Sequence, residues 1–173
     1  CGLLENDIML GNALVGMYVN CGMIDKARKV LKELPLQDVV SWSILIVAYA
    51  QQGETHEALD CYERMQNEGI YPDEVTFICM LKACGSKQYI EKGKQIHSKA
   101  LCREFMEKDI RLGAALVDMY VKCHALVKAQ QLLERLPIRD VVCWNALISG
   151  YAQHGHCNEA WNCLKRMQRE GLS

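Results

Sequence analysis

His154, His156 and Cys157 are the densest group of potential metal ligands in this 173-residue chain. They flank Gly155 at a predicted turn, and a solvated loop is their expected role. The ten cysteines include no Cys-x-x-Cys pair, which removes the usual zinc framework. A zinc-dependent base deaminase needs a His-x-Glu pair and a downstream Pro-Cys-x-x-Cys, and the sequence has neither. The phosphate-binding Gly-x-x-x-x-Gly-Lys loop, the Gly-x-Ser-x-Gly nucleophile turn and the dinucleotide fingerprint are missing too. The expectation is a binding chain that is not an enzyme and takes no metal and no cofactor.

The elements that position these residues are repeated. Ile8 to Asp73 recurs as Ile110 to Ser173: ALVGMYVNC from Ala13 matches ALVDMYVKC from Ala115, and VVSWSILIVAYAQQG from Val39 matches VVCWNALISGYAQHG from Val141. Matched positions are mainly apolar and small, as expected where one repeat packs on the next. Cys21 corresponds to Cys123 and Cys61 to Cys163, so the cysteines read as small packing residues, free thiols of a reducing compartment.

Leu-Pro-x-x-Asp, at Leu34 to Asp38 and Leu136 to Asp140, punctuates both copies. It divides the chain into residues 1–7, the tail of a preceding unit, then 8–38, 39–73, 74–109, 110–140 and 141–173, units of roughly 31 to 36 residues in the solenoid range. Each carries two amphipathic helix patterns, such as Ala13, Leu14, Met17 and Tyr18 followed by Ile24, Ala27, Val30 and Leu31. Cys21-Gly22, Gln52-Gly53 and His154-Gly155 separate the paired helices, and Pro35, Pro72 and Pro137 close units. No stretch alternates long enough to demand a strand, and no apolar run approaches a membrane span, so no membrane partner is expected. The expected fold is all-α, a right-handed α-solenoid superhelix of helix-turn-helix repeats. It reads as a segment of a longer array whose uncapped ends favour self-association.

VVSWSILIVAYAQQGETHEALDCYERMQNEGIYPD, from Val39 to Asp73, resembles a pentatricopeptide repeat. DEVTFICMLKACGS and GKQIHSKAL, between Asp73 and Leu101, resemble the long variant in the plant subclass that alternates ordinary, long and short motifs. GNALVGMYVNCG from Gly11 and GAALVDMYVKCH from Gly113 resemble the short variant. Tetratricopeptide repeats, the nearest competitor, require neither the Val-Val-x-Trp opening nor the terminal aspartate. The resemblance spans essentially the whole chain. It implies single-stranded RNA binding at about one base per unit, in a chloroplast or mitochondrion, guiding cytidine-to-uridine editing by a deaminase domain located elsewhere.

In that family the fifth and last residues of a unit read the base. Carried over, Asn12 with Asp38 implies uridine and Ser43 with Asp73 implies guanosine; Asn145 implies a pyrimidine, its partner lying past Ser173. Ile78 with Asp109 and Ala114 with Asp140 leave two bases unread, so the implied target is 5′-U-G-N-N-Y. Second-position residues Met9, Val40, Val75, Arg111 and Val142 are implied to sandwich the bases. Among Asn20, Gln51, Ser86, Lys122 and Gln153, the positions that meet phosphate in the family, only Lys122 is charged. Lys82, Lys87, Lys92, Lys94 and Lys99 add a basic cluster in the long unit. With 20 Lys+Arg against 21 Asp+Glu the net charge is −1, which predicts weak bulk attraction to phosphate and low affinity for so few repeats. The alternative is a protein-interaction scaffold, in which the long unit, with Ile78 and its lysine-rich second helix, docks a protein editing cofactor in place of a base.

Overall fold

The computed structural model describes residues 2–101 and 109–172, with side chains from residue 8 onward in the first helix. Among the described residues there are ten helices and no strand. In chain order they are α1 (Gly2–Asn20), α2 (Ile24–Glu33), α3 (Val39–Gln51), α4 (Thr55–Asn67), α5 (Glu74–Ser86), α6 (Ile90–Leu101), α7 (Ile110–Lys122), α8 (Leu126–Arg135), α9 (Val141–Gln153) and α10 (Cys157–Arg169). None is long and apolar enough to cross a membrane.

The aspartates that punctuate the sequence have a local cause, because each caps the next helix. Asp38 accepts the Ser41 amide at 2.9 Å, Asp73 that of Thr76 at 2.8 Å, Asp109 that of Arg111 at 2.8 Å and Asp140 that of Cys143 at 2.9 Å. Each bond satisfies an amide that the first helical turn leaves without a partner, worth about 1 kcal/mol. The turn inside a unit needs one residue in the left-handed region. Gly22, Gly53 and Gly155 supply it at φ of 72°, 78° and 76°, whereas Gln88 and His124 take it up at 57° and 59°.

The chain divides into two compact units. In the first, Cys1–Met80, α1 packs on α2 and α3, and α3 on α4. Val15, Ala27, Leu45, Ile46, Ala58 and Met65 are fully buried there, with Tyr62 edge-on to Phe77 at 6.3 Å. In the second, Leu81–Ser173, α7 packs on α6, α8 and α9, and α9 on α10, around Leu116, Val117, Met119, Ala129 and Leu147. Ile24, Ala27 and Leu31, read from the sequence as the apolar face of α2, are buried in these contacts, whereas Ala13, Leu14 and Met17, read as the apolar face of α1, are exposed. Gly150 marks a tight contact, since an added Cβ would lie 2.5 Å from Val121 Cγ1 and 3.1 Å from Leu126 Cδ2. Gly150→Ala is expected to cost about 1–3 kcal/mol by overpacking against a stiff β-branched neighbour, read as a lowered urea midpoint.

Helix α1 is continuous from Gly2 to Asn20, because no proline or glycine between Leu3 and Leu10 interrupts helical geometry. One expectation needs correction. Cys21 is exposed and is not a packing residue, although Cys61 and Cys163 are buried and Cys123 is half-buried. Cys123 lies against the Cys84 carbonyl of α5.

Burial pushes the Cys61 thiol up to about 11 and the Cys84 and Cys143 thiols up to about 12. These three thiols stay protonated at pH 8. Brief treatment of the folded chain with iodoacetamide at pH 8 is expected to label exposed Cys21 and Cys157 and to spare Cys61, Cys84 and Cys143, as read by peptide mass spectrometry.

Candidate functional site

Two of the residues assigned to base contact, Asn12 and Ser43, lie close to capping aspartates. Asn12 Nδ2 donates to both carboxylate oxygens of Asp38, at 3.2 and 3.1 Å, joining the fifth and last residues of the first unit. Asp38 also accepts the Ser41 hydroxyl at 3.0 Å. Burial alone would raise the Asp38 pKa, but hydrogen bonds from the Ser41 amide, Asn12 and the Ser41 hydroxyl outweigh it and hold the carboxyl below its ordinary 3.8. Asn12 Oδ1 is occluded and has no hydrogen-bond partner, so this acceptor is unspent.

A folded-state pKa below the unfolded one gives stability that is complete above the unfolded value and is lost as pH falls through the folded one. Asp38→Ala should therefore cost about 1–2 kcal/mol in urea unfolding at pH 7, where cap and Asn12 partner are both lost, and progressively less as pH falls below 3.8.

In the second unit, Ser43 and Asp73 are joined through an intermediary. Ser43 Oγ lies 2.7 Å from Thr76 Oγ1, which donates to Asp73 Oδ1 at 2.7 Å. Ser43 Oγ also lies 2.6 Å from the Val39 carbonyl, within hydrogen-bond reach. Thr76 is fully buried and Ser43 is 8% exposed. Thr76 was not among the residues singled out from the sequence, although a Ser or Thr three residues after a unit-closing aspartate, as at Ser41 and Thr76, is a capping signature that could have flagged it.

The remaining positions differ. Asn145 is exposed on α9, while Ile78 and Ala114 are half-buried and carry no polar group. Asp109 is buried and grips the Arg111 guanidinium, through Nε at 3.1 and 3.0 Å and Nη2 at 2.7 Å. The apolar second-position residues Met9, Val40, Val75 and Val142 are 70, 47, 53 and 62% exposed. Single exposed aliphatic side chains are ordinary, but four at one register are available to a flat ligand face.

Lys122 donates to Asp118 at 2.8 Å, one turn back on α7. Within the lysine cluster, Lys94 pairs with Glu91 and Lys82, Lys87 and Lys99 are exposed. His154 contacts His124, which in turn meets Gln88 at 3.0 Å; His156 stands against the Tyr151 ring, and Cys157 is exposed. Among the described residues no three His, Cys, Asp or Glu side chains are grouped to hold a metal ion.

Comparison with known proteins places this geometry. The fold is shared with the maize pentatricopeptide repeat protein PPR10 in complex with an 18-nt psaJ RNA element, at a TM-score of 0.73, 18% identity, 99% of this chain and 27% of that one. It is shared equally with the PPR domain of Arabidopsis thaliana protein-only RNase P 1 in complex with tRNA, at a TM-score of 0.73, 12% identity, 96% of this chain and 92% of that one. Paired helices capped and stacked in this way define a helical-repeat solenoid.

The PPR repeat family profile matches residues 37–86 and 139–173, and the PPR repeat profile matches residues 12–39. The chain belongs to the pentatricopeptide repeat family. A pentatricopeptide repeat-containing protein of Arabidopsis thaliana is 39% identical over 172 residues, covering 99% of this chain and 20% of the relative. A second from that plant, named as chloroplastic, is 36% identical over 98% of this chain and 27% of its own length. A third, named as mitochondrial, is 37% identical over 98% of this chain and 16% of its own length. The chain thus spans about a fifth to a quarter of the first two relatives.

Proposed function

We propose that this chain binds single-stranded RNA in a sequence-dependent manner, at one base per unit. In this reading it is the target-recognition part of a cytidine-to-uridine editing factor of the subclass with alternating ordinary, long and short motifs. It binds and does not catalyse, and works in a chloroplast or mitochondrion, a placement supported by the names of two relatives.

The observation that carries this reading is the Asn12–Asp38 contact. A carboxylate only accepts, so it fixes which end of the Asn12 amide faces it and ties the fifth and last residues of the unit into one hydrogen-bonded pair. The uridine preference is carried over from the resemblance of this Asn–Asp pair to the family's code. The hydroxyl and carboxylate of the second unit suit guanine. Exposed Met9, Val40, Val75 and Val142 support apolar contact with base faces, which is sequence-tolerant because every base has an apolar face.

Fluorescence anisotropy at low salt tests the reading directly. An oligonucleotide carrying 5′-U-G-N-N-Y should bind at least several-fold more tightly than one with its first two bases changed to C-A. Equal binding of the two would overturn the sequence-dependent part.

Phosphate attraction rests largely on Lys122, whose charge is shared with Asp118. An exposed i,i+4 pair is worth only about 0.3–0.5 kcal/mol, so phosphate can displace Asp118. Asp118→Ala is expected to tighten RNA binding about twofold at low salt. Lys122→Ala is expected to weaken it and to reduce the slope of log K against log salt by about one, as measured by salt titration.

A further inference from the structure

We propose that Thr76 is a positioning residue for base selection in the second unit, its hydroxyl holding Ser43 as a hydrogen-bond acceptor so that the unit favours a base edge made of donors. This deepens the RNA-binding reading and rests on it. Three short contacts join four groups: Ser43 Oγ to the Val39 carbonyl at 2.6 Å, Ser43 Oγ to Thr76 Oγ1 at 2.7 Å, and Thr76 Oγ1 to Asp73 Oδ1 at 2.7 Å. Carbonyl and carboxylate can only accept, so two hydroxyl protons serve three contacts.

The charged carboxylate has the stronger claim, and the Thr76 proton goes to Asp73. The one Ser43 proton then points either to the Val39 carbonyl or to the Thr76 oxygen. Either way it is spent inside the protein. Thr76 is fully buried, so water does not stand in for its hydroxyl. What the unit can offer a base is therefore lone pairs, on Ser43 and on the carboxylate of Asp73. Guanine alone carries two adjacent donors on its Watson–Crick edge, N1–H and N2–H. Adenine and cytosine set a donor beside an acceptor, and uracil sets one donor between two acceptors.

The first unit shows why the third residue matters only here. Ser41, at the position corresponding to Thr76, turns back on its own cap: it accepts from the Asp38 amide at 3.2 Å and reaches the Asp38 carbonyl and carboxylate at 3.0 Å. The longer Asn12 reaches Asp38 unaided. Ser43 is too short for that and is linked to Asp73 through Thr76.

Thr76→Val keeps the branched shape and the amide that caps through Asp73 but removes the hydroxyl. Ser43 is left with the Val39 carbonyl as its one internal acceptor, so its proton divides between that carbonyl and adenine N1 or cytosine N3. The test measures binding of this chain to oligonucleotides that differ only at the second base. Thr76→Val is expected to lower the guanosine-over-adenosine ratio about tenfold while the uridine preference at the first base stays unchanged, and Thr76→Ser is expected to restore the ratio. Thr76→Cys, matching Cys143 at the same position after Asp140, is expected to lose the preference too and serves if the valine variant does not fold. An undiminished ratio in a folded valine or cysteine variant overturns the role of Thr76. If the unsubstituted chain has no guanosine preference at the second base, the underlying reading fails, and the inference falls with it.

Discussion

Trp144→Ala is expected to destabilise the folded chain by about 3–5 kcal/mol, the range for truncating a fully buried tryptophan. Trp144 is 1% exposed in the core of α9, its indole Nε1 donates to Glu170 at 3.2 Å, and the Arg166 guanidinium lies 5.6 Å above its ring. Arg139 joins the group through Glu170 at 3.4 Å. Alanine removes the packing and strands a carboxylate that has lost one donor. The repeat supplies an internal control: Trp42, at the corresponding position of α3, is 3% exposed, but its Nε1 has no hydrogen-bond partner. Trp42→Phe removes an unsatisfied donor and should cost under about 1 kcal/mol, whereas Trp144→Phe also loses a hydrogen bond to a charged acceptor and should cost about 1.5–3 kcal/mol more. Urea unfolding of the four proteins measures all three differences. Equal costs for the two phenylalanine variants would contradict the assigned role of Glu170.

Ser43→Asn is expected to move the second base from guanosine to uridine, changing the ratio of the two affinities on the order of 10- to 100-fold, in line with about 1–3 kcal/mol for a well-formed base contact. The variant rebuilds in the second unit what the first already holds, an asparagine amide donating to a unit-closing aspartate. The Thr76 amide still caps through Asp73, so the helix start is retained. Binding to U-U-N-N-Y and U-G-N-N-Y oligonucleotides by both proteins measures the switch. An unchanged preference would mean that Ser43 does not face the base.

Much of this was legible in the chain because the signals are local or recur. Apolar spacing set the paired helices, and prolines and glycines set their ends. The unit-closing aspartates stood out as punctuation; the structure adds that they are caps, which is why the end of one unit and the helix start of the next share one side chain. What sequence spacing does not report is which partner a polar group chooses. The Lys122–Asp118 pair, the Arg111 grip on Asp109, and the His124–His154 contact depend on side-chain reach across one turn or between turns. Thr76 was missed because its role needs a proton count over three oxygens that only coordinates bring together. Cys21 and Cys123 share a sequence position but not a neighbour, so repetition alone could not give their burial.

The central claim is that the chain reads RNA bases through the fifth and last residues of its units. Selection of the purified chain against a random pool of short RNAs at low salt, with sequencing of what is retained, tests it most directly. The account predicts enrichment of U-G-N-N-Y, with the first two positions sharpest. A retained pool no different from the input, or a motif unrelated to U-G, would contradict it.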